Sequence, residues 1–146
     1  SERHRDLATA EFAQVHERWF AEWGALYRPR SAALVEAGWL ISGEEVEAGV
    51  VSVAGLHHEL AELMDSHGLD LWASPPATGP APEGFTSTGN PTMNLPWTHA
   101  GMPVVTLPAG VAETGLPLGL QLSARFMADE HLLAWAETVE PVVAAL

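Results

Sequence analysis

Between Pro75 and Pro103 the chain carries seven prolines, Pro75, Pro76, Pro80, Pro82, Pro91, Pro96 and Pro103, with Gly79, Gly84, Gly89 and Gly101 among them. Proline removes a backbone donor and fixes φ, and glycine weakens any regular element it enters. No long helix and no central strand can run through such a stretch. The chain is therefore divided in advance into the residues before this segment and the residues after it. A connection this long inside a compact domain is usually functional or disordered. Phe85 and Trp97 favour an ordered one.

Upstream, the apolar residues recur at helical spacing. Leu7, Phe12, Val15, Trp19, Phe20, Trp23 and Leu26 step by three and four, so residues 6–26 read as a helix capped by Asp6 and weakened at Gly24. Residues 29–37 read as a second, short helix, with Pro29 in its first turn and Gly38 at its stop. Ser42-Gly43-Glu44-Glu45 is a capping box, in which hydroxyl and carboxylate satisfy each other's backbone N–H groups. The helix it starts runs to about His67. Its apolar stripe is Val46, Val50, Val53, Leu56, Leu60, Leu63 and Met64, and Gly68 ends it.

Leu69 to Ala73 is a short apolar run that reads as a strand. Val104 to Leu107, fenced by Pro103 and Pro108, reads as a second, and the alternating Leu118 to Leu122 as a third. The Gly110–Pro117 connection joins the last two as a hairpin. Asp129 caps a final helix with Leu132, Leu133, Ala136, Val139 and Val143 toward the core. The whole is an α/β arrangement, taken as one domain or subdomain over 1–146. Residues 1–68 are mainly helical. Residues 69–146 supply strand, long loop, hairpin and last helix. Three strands make a sheet with open edges, where self-association into a homo-oligomer is expected. The open edges, with the absence of Met at position 1, suggest a piece of something longer.

Composition narrows the chemistry. All six cations are arginines, and there is no lysine and no cysteine. A phosphate-loop lysine, a Schiff-base lysine, a lysine base, a thiol nucleophile and a cysteine zinc site are thus excluded within these residues. A formal net charge of −13 argues against nucleic acid as a partner and against anionic membrane surfaces. No apolar run approaches the roughly 18 residues of a membrane span. The opening Ser1-Glu2-Arg3-His4-Arg5 is too polar to read as a signal peptide. A cysteine-free chain fits a cytoplasmic location.

Individual residues offer weaker leads. His58 and Glu62 share a helix face at the spacing a metal pair needs, yet the run lacks the second histidine of the zincin pattern. The plainer reading is a solvated helix side, and no metal site is assigned. Ser74 reads as a turn starter before Pro75, Ser87 as a weak nucleophile candidate in the Gly/Pro loop, and His99 as a packing or capping histidine, with a catalytic base as the lesser alternative. No G-x-S-x-G elbow marks a nucleophile. Gly115 and Gly119 lack the lysine and hydroxyl of a phosphate loop. More telling is Thr86 to Trp97, where hydroxyls, amides and an indole sit on a proline-set backbone. That mix suits a pocket wall, though composition alone leaves a self-packed surface loop equally open.

Four ordered segments resemble the C-terminal part of amidase-signature enzymes. They are Gly38 to Glu45; Leu69-Asp70-Leu71-Trp72-Ala73-Ser74-Pro75-Pro76-Ala77; Thr88 to Pro103; and Val104 to Gly110 with Gly115 to Leu122. Asp129 and Leu132-Leu133 extend the likeness into the last helix. The resemblance implies part of an α/β/α sandwich around a mixed sheet, its C-terminal segment only, and hydrolysis of amide C–N bonds without a cofactor. The family's nucleophilic serine, its second serine held by a cis peptide and its lysine base lie in a Gly/Ser-rich region that these residues do not contain. No catalytic residue is therefore carried over. The positions that transfer are substrate-binding: Thr88, Gly89, Asn90, Asn94 and Trp97. Pro91, near which tRNA-amidating branches carry an acidic residue, followed by the Pro96-Trp97 pair, resembles general amidases acting on apolar or aryl amides. On this reading the chain supplies strands and a pocket wall for a small-molecule amide. The alternative is a non-catalytic relic that self-associates.

Overall fold

The computed structural model describes residues 2–145. Ser1 and Leu146, the two ends of the range read as one domain, lie outside it. The chain divides into two compact units, up to Gly55 and from Leu56 onward, so the division falls inside one long helix.

The first unit is helical. Helix α1 spans Glu2–Trp23, a 3₁₀ turn Gly24–Leu26 comes next, α2 spans Pro29–Gly38, and α3 begins at Gly43 and runs to His67. Helix α1 starts four residues earlier than Asp6 suggests. Asp6 lies inside the helix, where its carboxylate accepts from Arg5 instead of capping. Helix α2 begins at Pro29 as expected, but Gly38 is its last residue and not a left-handed stop. The reason for that glycine is tertiary. A Cβ there would stand 2.4 Å from the Ala13 Cβ and 2.4 Å from the Thr9 carbonyl oxygen, so α1 and α2 can approach only over bare backbone. Val35 and Ala13 are buried at the same contact. Beside them Phe12, His16, Phe20, Tyr27 and Trp39 stack edge and face, and His16 Nδ1 lies 2.6 Å from the Tyr27 hydroxyl.

The capping box forms as read. Ser42 N–H and Oγ–H both donate to Glu45 Oε2, at 2.8 and 2.7 Å, and Glu45 N–H donates to Ser42 Oγ at 3.2 Å. These two bonds from Ser42, the hydroxyl's first and the backbone's second, hold the Glu45 carboxyl below its ordinary pKa. The stripe of α3 is narrower than expected. Val50 and Leu63 are exposed, whereas Gly49 is buried and would clash with Leu7 if it carried a Cβ.

The second unit holds the sheet. Strands β1 (Trp72–Ser74), β2 (Val104–Val111) and β3 (Pro117–Ser123) are ordered β1-β3-β2, and both pairings are antiparallel. The α/β class is as expected. Strand β1 is shorter and later than the run Leu69 to Ala73 because Gly68 closes α3 in the left-handed region and Leu69 N–H donates to the Met64 carbonyl. Strand β2 passes through Pro108 with an irregularity between Pro108 and Val111, which an edge strand tolerates. Helix α4 (Leu95–Ala100) sits within the proline-rich stretch, with Pro96 in its first turn and Gly101 as its left-handed stop.

Registry puts Leu107, Leu120, Leu122 and Val105 on one sheet face. There they bury against Leu132, Ala136 and Val139 of α5 (Asp129–Val143). The other face carries Trp72, Ser74, Gln121 and Ser123. Trp72 packs with Met64, Ala100, Met102 and Trp97 in a second cluster. Two expectations for α5 fail. Leu133 is 59% exposed because its position points away from the sheet, and Asp129 is the first helical residue with no side-chain cap. Its charge still lies where the helix dipole favours an anion.

Candidate functional site: an uncharged cleft beside the sheet

Residues 75–90, between β1 and a 3₁₀ turn at Pro91–Met93, form neither helix nor strand. They leave the sheet and return to it, and the space enclosed is a cleft of about 850 Å³. One wall is Pro75 to Pro82, another is Thr88 to Pro91 with Met93 and Asn94, and the third is Ala109 with Pro117, Leu118 and Gly119 of the hairpin. Gly119 makes this approach feasible, since a Cβ there would meet Thr106 Cγ2 at 2.6 Å and Pro76 Cγ at 3.1 Å.

Local hydrogen bonds shape the second wall. Gly89, at φ 98°, donates its N–H to Ser87 Oγ at 3.1 Å. Asn90 caps the 3₁₀ turn by accepting the Thr92 N–H on Oδ1 at 3.0 Å. Asn94 N–H donates to the Pro91 carbonyl at 2.9 Å, and Asn94 Nδ2 crosses to the Pro76 carbonyl at 3.0 Å. Thr88, Gly89, Asn90 and Asn94 thus come together on the cleft. Trp97 does not join them. Its ring lies in the Met64 cluster, 6.0 Å from that of Trp72, and both indole N–H groups are buried without a hydrogen-bond partner. Phe85, expected to help order the loop, is fully exposed and packs on nothing that would order it.

No ionisable side chain lines the cleft. Nothing in its walls can therefore act as a general acid or base, which needs a titrating group within hydrogen-bond reach of the reacting atom. The other sequence leads are also placed. Ser74 Oγ accepts from Gln121 Nε2 at 3.2 Å, so it is a sheet residue and not an exposed nucleophile. His99 is buried at the end of α4. His58 Nε2 and Glu62 Oε1 are 3.3 Å apart on an exposed helix face, and among the described residues no three histidine or carboxylate groups converge as a metal site would need. No described helix is long and apolar enough to cross a membrane.

Sequence reasoning missed two residues. Arg125 lies against the C-terminal end of α3, with Nη1 2.9 Å from Asp65 Oδ1 and 3.4 Å from the Ala61 carbonyl, where a cation offsets the helix dipole. Gln121 is buried in the central strand and reaches the Met93 carbonyl. The signal for it was a carboxamide within Leu118-Gly119-Leu120-Gln121-Leu122, a strand too short of polar residues to have a solvated face.

No family model matches the chain. It is 44% identical over 45 residues to a subunit of the mitochondrial glutamyl-tRNA(Gln) amidotransferase of Schizosaccharomyces pombe, a match covering 31% of this chain and 10% of that protein. It is 39% identical over 74 residues to the corresponding subunit of Methylocella silvestris, covering 44% of this chain and 15% of that one. A solved amidase superposes with a TM-score of 0.79 at 26% identity over 92% of this chain and 33% of its own. A 6-aminohexanoate cyclic dimer hydrolase shares the fold, at a TM-score of 0.72 over 99% of this chain and 36% of its own. The chain therefore spans about a third of the length of these structures and less of the curated relatives. In sequence and in fold it is a homologue of the amidase-signature enzymes, matching a C-terminal portion of them.

Proposed function

We propose that this chain is the substrate-wall portion of an amidase-type hydrolase of amide C–N bonds. It supplies sheet strands and one side of the pocket, while the serine nucleophile and lysine base come from elsewhere. Thr88, Gly89, Asn90 and Asn94 form the binding wall, and Trp97 supports it from the core below. The observation that carries this reading is the uncharged cleft, walled by prolines on one side and by hydroxyl and carboxamide groups on the other. A neutral amide has an apolar body and one donor–acceptor head, which such a lining can hold without leaving a charge unpaired. The absence of lysine and of any titrating group in the cleft supports binding without turnover. The lining also favours an apolar or aryl amide over a charged amino acid amide.

Ammonia release from benzamide, measured on rigorously purified chain, tests this. No release above buffer is expected. Turnover that co-purifies with the protein through several columns overturns the assignment of catalysis to other residues. A second reading, a self-associating relic, is supported by the unpaired edges of β1 and β2. Sedimentation over a range of concentrations separates the two, because a monomer at all concentrations removes the support for the relic.

A further inference from the structure

The cleft loop leaves the sheet at Ser74 and comes back at Met93 and Asn94. Among the described residues, no hydrogen bond between backbone groups ties residues 75–90 to one another or to the sheet. The neck of the loop is crossed by two carboxamides instead. Gln121 Nε2, from the central strand, donates to Ser74 Oγ on the outgoing side at 3.2 Å and to the Met93 carbonyl on the returning side at 3.4 Å. Asn94 Nδ2 donates from the returning side to the Pro76 carbonyl on the outgoing side at 3.0 Å. We propose that Gln121 is a positioning residue, which together with Asn94 clasps the neck of the loop and thereby fixes the cleft wall at Thr88 to Asn94.

The energetics point the same way. Gln121 is 1% exposed, and its Oε1 is buried with no partner. A buried acceptor without a donor costs stability, and an apolar side chain of the same shape would avoid that cost. The acceptor end of Gln121 therefore gains the core nothing. Its donor end does the distinctive thing, because one nitrogen joins both ends of a segment that has no ladder of its own. Compact surface loops of this form are defined by ends held close together. An open neck would let the Thr88–Asn90 wall drift from the hairpin wall at Pro117 to Gly119.

This inference rests on the binding reading of the cleft for its consequence, but its structural core can be tested without any ligand. Gln121→Met keeps the shape and removes both the clasp and the orphan acceptor. Asn94→Ala removes the other half at an exposed position that cannot disturb the core. Amide hydrogen exchange at Gly89, Thr92 and Asn94 is expected to speed up about tenfold or more in each variant, with the thermal midpoint of Gln121→Met within a degree or two of the parent. Benzamide affinity, where the parent binds it, falls at least severalfold in both. Unchanged loop exchange in both variants overturns the clasp. So does a large loss of midpoint in Gln121→Met with loop and core exchange rising together, because that is the signature of a merely structural glutamine. Failure of the parent to bind benzamide, with loop exchange still accelerated in the variants, refutes the binding reading and upholds the clasp.

Discussion

Gly38 and Gly55 offer the same chemical change in opposite settings, and the structure gives opposite signs for it. Both lie in helices, α2 and α3, where replacing glycine by alanine removes backbone freedom from the unfolded chain and favours the helix by about 0.5–1 kcal/mol. At Gly55 nothing stands within 4 Å of the added Cβ, so the gain is kept whole. At Gly38 the Cβ meets Ala13 Cβ and Thr9 O, both at 2.4 Å, against ordinary contact from 3.4 Å outward. The partner is helix backbone, which cannot swing aside as a long side chain would. Helices α1 and α2 must separate by about 1 Å, and a gap of that size forfeits roughly a quarter to a half of each atomic contact across the interface. Overpacking of this kind costs about 1–3 kcal/mol, which exceeds the propensity gain. Gly38→Ala is expected to lower unfolding free energy by about 1–2 kcal/mol and Gly55→Ala to raise it by about 0.5–1 kcal/mol. Urea unfolding followed by far-UV circular dichroism and by tryptophan fluorescence, to which Trp19, Trp23 and Trp39 of the first unit contribute, measures both. A Gly38→Ala variant as stable as Gly55→Ala, or more so, would mean that the α1–α2 contact is not close.

Three further outcomes rest on the packing and the caps. Leu122 is buried in the central strand against α5, so Leu122→Ala is expected to cost about 2–5 kcal/mol by denaturant titration. Phe85→Ser should leave the unfolding free energy within about half a kcal/mol of the parent, because an exposed side chain loses nothing on substitution. The Glu45 carboxyl has its folded pKa lowered by Ser42, so the cap is complete above the ordinary glutamate value, near pH 4.3, and is lost as pH falls through the lower folded value. Helicity of the parent should therefore drop, as pH falls below the ordinary glutamate value, by more than that of Ser42→Ala, as read by circular dichroism.

How much the sequence disclosed depended on range. The capping box at Ser42 and the hairpin around Gly110 to Pro117 are legible because the groups that decide them are neighbours in the chain. Asp6 misled because a good capping residue is also tolerated inside a helix when the turn before it can form. Gly38 looked like a stop, although its reason lies on α1, a different helix. Helix α4 was hidden from pattern reading by its own prolines, and only the family resemblance of Thr88 to Pro103 implied a helix there: Pro96 sits in the first turn, where its missing donor costs nothing. Of the residues proposed to bind, Thr88 to Asn94 stood out in composition as hydroxyls and amides on a proline-set backbone, but only the family resemblance favoured a pocket wall over a self-packed loop. Trp97 could not be separated from core aromatics, because the side of a six-residue helix that it faces is set by Met64 and Ala100. Gln121 needed the register of β1 against β3, which places it opposite Ser74.

The function proposed for this chain turns on whether the cleft between the proline wall and the Thr88–Asn94 wall holds a neutral amide. Titrating ¹⁵N-labelled chain with benzamide and, separately, with benzoate decides it. Benzoate has the same ring and size but carries a charge that no cleft residue can neutralise. Benzamide is expected to give saturable shifts at Thr88, Gly89, Asn90 and Asn94, and benzoate to bind at least severalfold more weakly. Equal binding of the two, or shifts that saturate elsewhere and spare this wall, would show that the cleft is not an amide site.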